Sequence, residues 1–230
     1  MPSRRFFAGL LLAALAALGA LAQPKPADPA RFAAAIEAFR EGDRKAPPPR
    51  QAILFIGSSI FRLWKNLPEQ MAPLPVFNRA FGGSRVADLL HYMDEIVLPY
   101  EPKVIVYYCG SNDVKPGLTA TGIAGGFRQF VERVHARLPE TRLVYVSINR
   151  APDKRELWNV VDEANTRIKA YCARDQRLNY VDVNAALFGA GGEPRMDLYL
   201  PDGLHFHQPA YVEFTKLVRP VLERVWASVN

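Results

Sequence analysis

Two short segments, far apart in the chain, carry the residue types that nucleophilic acyl chemistry needs. Ile56-Gly57-Ser58-Ser59-Ile60 follows an apolar run near the start, and Asp202-Gly203-Leu204-His205 lies near the end. Together they supply a hydroxyl, an imidazole and a carboxylate. Ser59 is the candidate nucleophile. Gly57 allows a tight exit from a strand, and Ser59 would then open a helix, where the dipole and free backbone N–H groups favour a nascent oxyanion. Read alone, Ser58 or Ser59 serves equally well as a helix cap. His205 is the candidate base, with Asp202 three residues earlier to fix its tautomer. The competing reading is a surface turn in which Asp202 bonds a local N–H. Asn112 offers a side-chain amide to a developing negative oxygen, and Gly83 and Ser59 offer backbone N–H groups to the same point. Gly82 and Gly83 also suit a strand-to-helix turn with positive φ. Asn78 and Arg79 are expected to shape a pocket floor, with an acidic partner as the alternative for Arg79. His207 is expected at the rim.

These residues need a frame that gathers them, and the hydropathy pattern supplies one. Apolar runs at Ile53–Ile56, Val76–Ala80, Val104–Cys109, Leu143–Ile148 and Tyr180–Val183 read as five strands. The third is apolar or aromatic throughout, as befits a central strand covered on both faces. Helical spacing falls between them. Ser84 can cap one helix, with Val86, Leu89, Leu90 and Met93 inward. Phe127, Phe130, Val131, Val134 and Leu138 mark a second, Leu157 to Tyr171 a third, and Tyr211, Phe214, Val218, Leu222 and Val225 the last. Strand–helix alternation of this kind predicts a mainly parallel five-stranded sheet with helices on both faces, a three-layer α/β/α sandwich. In such a sheet, functional groups collect beyond the carboxyl ends of the strands. Gly57-Ser58-Ser59, Gly82-Gly83-Ser84 and Gly110-Ser111-Asn112-Asp113 all fall there. Phe188 to Leu200, with three glycines, is expected to form a rim.

The ends and the composition bound the rest. Arg4 and Arg5 precede an uncharged stretch rich in Leu and Ala, and Ala20-Leu21-Ala22 provides a small-residue cleavage site. Residues 1–22 thus read as a signal peptide, against the alternative of a retained membrane anchor, and Ser3 to Phe7 partly matches a twin-arginine signal. Periplasmic or secreted location follows. Residues 23–50 read as a tether with a short helix over Arg31–Arg40 and a stiff spacer from Lys45 to Pro49. Residues 51–230 form the main domain. The formal charge of +6 is dispersed, without a basic stripe, so nucleic-acid binding is not expected. The two cysteines, Cys109 and Cys172, read as free buried thiols, although export leaves a bond open. Four histidines without ligand spacing predict no metal, and the chemistry needs no cofactor.

Four segments in order resemble the conserved blocks of the SGNH hydrolases, the GDSL esterase/lipase family. They are Ile56 to Ile60, Asn78-Arg79-Ala80-Phe81-Gly82-Gly83-Ser84, Gly110-Ser111-Asn112-Asp113 and Asp202-Gly203-Leu204-His205. The resemblance spans about Gln51 to Ser228 and looks strongest to the branch of platelet-activating-factor acetylhydrolase subunits. It implies the flavodoxin-like SGNH hydrolase fold, Ser59, His205 and Asp202 as a catalytic triad, and Ser59, Gly83 and Asn112 as the oxyanion hole. Ser58 replaces the usual Asp before the nucleophile, and Ala80 a frequent Gly. The implied activity is hydrolysis of acyl esters of a sugar, lipid or other alcohol, and the sequence shows no extended apolar lid, so short-chain acyl groups, acetyl foremost, are expected. Two alternatives are an acyltransferase using the same nucleophile and a silent module binding cell-envelope glycan.

Overall fold

The computed structural model describes residues 28–230, so the expected signal peptide and the first part of the tether lie outside the described residues. Five strands form one sheet: β1 (Ile53–Gly57), β2 (Val76–Asn78), β3 (Val104–Tyr108), β4 (Arg142–Val146) and β5 (Leu178–Val181). Their spatial order is β2-β1-β3-β4-β5, and every pairing is parallel. The strand order reverses beside β1, so the loops after β1 and β3 open a crevice at the carboxyl edge.

Ten α-helices among the described residues accompany the sheet. The first five are α1 (Ala33–Lys45), α2 (Ser59–Arg62), α3 (Leu67–Met71), α4 (Val86–His91) and α5 (Met93–Ile96). The others are α6 (Ser111–Val114), α7 (Ala120–Arg137), α8 (Trp158–Cys172), α9 (Asn184–Leu187) and α10 (Gln208–Ala227). Alternate strand residues face opposite layers. Leu54, Ile56, Ile105, Tyr107, Leu143 and Tyr145 pack with Leu89, Phe127, Phe130, Val161 and Ile168. Ile53, Phe55, Val104, Val106, Tyr108 and Val144 pack with Phe61, Tyr211, Phe214 and Val218. Complete burial of such side chains contributes about 1.5–3 kcal/mol each relative to exposure, and it is this double cover that makes the strands apolar throughout.

The element boundaries move where side chains replace the ladder. Asn165 of α8 takes both the N–H (2.9 Å) and the C=O (2.9 Å) of Ile148, so β4 ends before it. Ser147 and Asp182 satisfy Val183 and Asn184, which ends β5 at Val181. The first helix runs on to Lys45, past the expected Arg40, because nothing opposes it before Pro47. A proline disfavours helical geometry in the residue ahead of it, here Ala46. Ser84 does not cap α4. Its hydroxyl donates to the Gly57 carbonyl (3.0 Å), while Asp88 and Asp113 take the N–H groups of Arg85 and Val86. Cys109 and Cys172 are buried and not bonded to each other.

Candidate active site

Ser59 stands where β1 turns into α2. The strand runs so close to β3 that a Cβ on Gly57 would lie 2.0 Å from the Tyr108 carbonyl oxygen. Only glycine fits, and the close approach lets Ser58 N–H donate to that same oxygen (3.2 Å). The chain then enters α2 with Ser59 as its first helical residue. No carbonyl within a helix reaches an N–H at that position. Ser58 occupies the cap position without making a side-chain cap bond.

His205 reaches Ser59 across 146 residues of chain. The Ser59 hydroxyl donates to its Nε2 at 2.9 Å. On the other side of the ring, Nδ1–H donates to Asp202 Oδ2 at 2.6 Å. The second oxygen of Asp202 accepts the N–H groups of Leu204 and His205, each at 2.9 Å. One carboxylate thus shapes its own turn and aims the imidazole. Partial burial pushes the Asp202 carboxyl up, but the bonds from the His205 ring and from the two backbone N–H groups outweigh it and hold it at about 2. The turn expected as the competing reading and the contact to the imidazole therefore coexist in the same residue.

Ser59 and His205 open onto a cleft of about 390 Å³, lined also by Arg62, Gly82, Gly83, Asn112 and Leu204. Gly83 is left-handed, at φ 80°, while Gly82 is not. The backbone N–H groups of Ser59 and Gly83 meet no acceptor among the described residues. The Asn112 amide donates one hydrogen to the Ser84 carbonyl (3.1 Å), which fixes the side chain and leaves its other hydrogen without a partner there. Three N–H donors from three loops thus border one cleft beside the Ser59 hydroxyl, the arrangement that stabilises an oxyanion.

Three predicted pocket residues lie elsewhere. Asn78 bridges two loops: its amide donates to the Phe61 carbonyl (2.7 Å) and its oxygen accepts from Ala80 N–H (2.8 Å). It supports α2 from behind and does not line the cleft. Arg79 pairs with Asp43 of α1, donates to Tyr100 (3.0 Å) and lies over the rings of Phe39 and Phe77, which fastens α1 to the sheet edge. The acidic-partner alternative describes it. His207 is exposed at the start of α10, its N–H bonded to Leu198, and does not reach the cleft. The Phe188–Leu200 stretch does not border the cleft either. Its last residues brace the histidine loop through the Tyr199–Phe206 bridge and the Leu200 N–H to His205 carbonyl bond (2.8 Å).

Two neighbours of the site escaped the sequence reading. Lys154 is buried, and its ammonium donates to the carbonyl (2.6 Å) and hydroxyl (2.9 Å) of Ser111, next to Asn112. Burial lowers it to about 8, with repulsion from Lys115 adding to the effect. The adjoining Asp153 N–H donates to the Gly203 carbonyl (3.1 Å), so one short segment ties the asparagine loop to the histidine loop. The other is Arg62, one helical turn after Ser59 and hence on the same face. That i, i+3 spacing was the available signal. A larger cavity of about 510 Å³ at the amino end of the sheet, beside Gln51, Lys103 and Arg142, contains neither Ser59 nor His205. Among the described residues, no three His, Cys, Asp or Glu side chains gather as a metal site.

A three-layer parallel α/β fold with a serine, a histidine and a row of amide donors at its carboxyl edge defines a hydrolase of the acyl-transferring class. The model of the GDSL-like Lipase/Acylhydrolase family matches residues 55–212, and the chain belongs to that family. It is a carboxylic ester hydrolase. Among similar proteins, the human platelet-activating factor acetylhydrolase IB subunit alpha1 is 26% identical over 185 residues, covering 76% of this chain and 77% of that one. A GDSL-like lipase of Bacteroides thetaiotaomicron shares the fold at TM-score 0.68 and 20% identity, covering 86% and 98%. So does a catalytic mutant of an acetylxylan esterase of Geobacillus stearothermophilus, at TM-score 0.58 and 15% identity, covering 77% and 95%.

Proposed function

We propose that the protein is an exported serine esterase that removes short acyl groups, acetyl foremost, through a covalent acyl-enzyme. The observation that carries this reading is the 2.9 Å contact between Ser59 and His205 on a cleft bordered by three uncommitted N–H donors. Ser59 Oγ attacks the acyl carbonyl while His205 Nε2 takes its proton, and Asp202 holds the ring and stabilises the imidazolium. The tetrahedral oxyanion rests on the Ser59 and Gly83 N–H groups and the Asn112 amide. His205 returns the proton to the leaving alcohol. It then activates water, which attacks the acyl-enzyme and releases the acid and free Ser59.

Short acyl groups fit because the cleft is small and Leu204 is its one apolar wall residue. Two of the similar proteins carry an acetyl group in their names, one with platelet-activating factor and one with xylan, which supports acetyl without choosing the alcohol. Export rests on the reading of residues 1–22 as a signal peptide. A silent glycan-binding role gives no account of an imidazole held between a hydroxyl and a carboxylate.

Turnover of 4-nitrophenyl esters from two to ten carbons tests the proposal. The rate should peak between two and four carbons. It should fall by about 10³-fold or more in Ser59→Ala and His205→Ala with the thermal midpoint little changed. Unchanged turnover in Ser59→Ala, or a maximum at ten carbons, contradicts it.

A further inference from the structure

We infer that Arg62 sets the specificity of this cleft and that the physiological ester carries an anionic group, a carboxylate or a phosphate, close to the scissile bond. The inference rests on the esterase reading above and concerns the same site.

Charge within the cleft is one-sided. Of the described residues that line it, only Arg62 bears a fixed charge, and His205 is the other ionisable group. The acidic side chains nearby are engaged or withdrawn. Asp202 is bonded to His205, and Asp113 is buried against the Val86 N–H. The residue beside the nucleophile is the uncharged, buried Ser58. The neighbouring cations are engaged too: Arg79 with Asp43, Lys154 with Ser111, and Lys115 with Asp153. Arg62 stands apart. No carboxylate among the described residues lies within ion-pair distance of its guanidinium, and no side-chain hydrogen bond holds it.

The chain also makes room for that guanidinium. Gly82 is outside the left-handed region, so its own backbone does not require glycine. A Cβ there would lie 2.7 Å from Arg62 Nε and 3.3 Å from Cζ and Nη2. The absent side chain lets the planar group rest against the backbone next to Gly83, whose N–H faces the reacting carbonyl in the proposed mechanism. A guanidinium presents paired N–H donors that match the two oxygens of a carboxylate or phosphate. With Ser59 one turn away on the same helix face, an anion held by Arg62 belongs to the ester being cleaved.

Matched ester pairs test this. The probes are 3-acetoxybenzoate against its methyl ester, 3-acetoxyphenyl phosphate against 3-methoxyphenyl acetate, and 4-nitrophenyl hydrogen succinate against 4-nitrophenyl butanoate. They place a carboxylate or phosphate on the alcohol side, or a carboxylate on the acyl side. The readout is the anionic-to-neutral ratio of kcat/KM in the wild type, Arg62→Gln and Arg62→Lys, since intrinsic ester reactivity cancels between enzymes. At least one ratio should be about tenfold higher in the wild type than in Arg62→Gln, mainly through KM. Arg62→Lys should recover part of it, and 0.5 M NaCl should shrink it. A response limited to the carboxylate pairs points to acidic sugars or acids, and one limited to the phosphate pair to phosphorylated alcohols or lipid headgroups. Hydrolysis of the neutral esters with ratios unchanged in Arg62→Gln overturns the role of Arg62 and leaves the esterase intact. No turnover of any ester overturns both.

Discussion

Two arginines, one closing α2 and one just after β2, have opposite fates. Arg79, after β2, is enclosed by Asp43, Tyr100 and the rings of Phe39 and Phe77, so its donors are used within the fold. Arg62, at the end of α2, lies on the cleft with none of its side-chain donors so engaged among the described residues. The contrast extends to their surroundings. At the β2–α1 edge the polar groups satisfy one another and stabilise the molecule. At the carboxyl edge of β1, β2 and β3, Ser59 N–H, Gly83 N–H and one hydrogen of Asn112 are left without partners among the described residues. Unsatisfied donors cost stability, so their concentration in one cleft marks the place where a ligand completes them.

The largest effect that would sharpen this contrast is expected at Asn112. Asn112→Ala removes one of the three donors proposed for the oxyanion and should lower kcat by about 10²–10³-fold with a smaller change in KM, read from steady-state kinetics. Near-normal kcat would move Asn112 to the satisfied side of the comparison. Arg79→Ala should do the reverse. It leaves Asp43 without its ion-pair partner and should cost about 2 kcal/mol, seen as a drop of about 4–8 °C in Tm, with kcat/KM retained. A loss of activity at unchanged Tm would return Arg79 to the pocket.

The smallest effect concerns Asp113, which holds α4 against α6 beneath the cleft. Burial is the main cause that raises its carboxyl from 3.8 to about 7, although the Val86 N–H opposes the shift. Between those values the folded protein binds the proton more tightly than the unfolded chain. Stability from this group is therefore greatest below pH about 4 and is lost as pH rises through about 7. Asp113→Asn removes that dependence. Its Tm relative to wild type should rise by a few degrees between pH 5 and pH 8, and a parallel course for the two proteins would refute the assignment.

Much of this arrangement was legible from local pattern. Unbroken apolar runs such as Val104 to Tyr108 announce central strands because both faces need cover. Glycine, hydroxyl and acid–x–x–histidine spacings announced the residues around Ser59 and His205. Strand ends were less legible: Asn165 caps β4 from a helix 17 residues away, and no local property of Ile148 signals it. The identity of the acidic partner of Arg79 and the role of Lys154 were hidden for the same reason, since each depends on a residue tens of positions distant in the chain.

By itself the sequence determined the α/β class, the order of the elements and the residue types available for acyl chemistry, because periodicity, turn residues and short spacings act over a few neighbours. Tertiary structure alone decided which polar groups stayed free. Asn78, Arg79 and Asn112 have similar donor chemistry, and packing turned the first two inward to bind the fold while leaving the third at the cleft. That choice depends on long-range proximity and competition for hydrogen-bond partners, which no local pattern encodes.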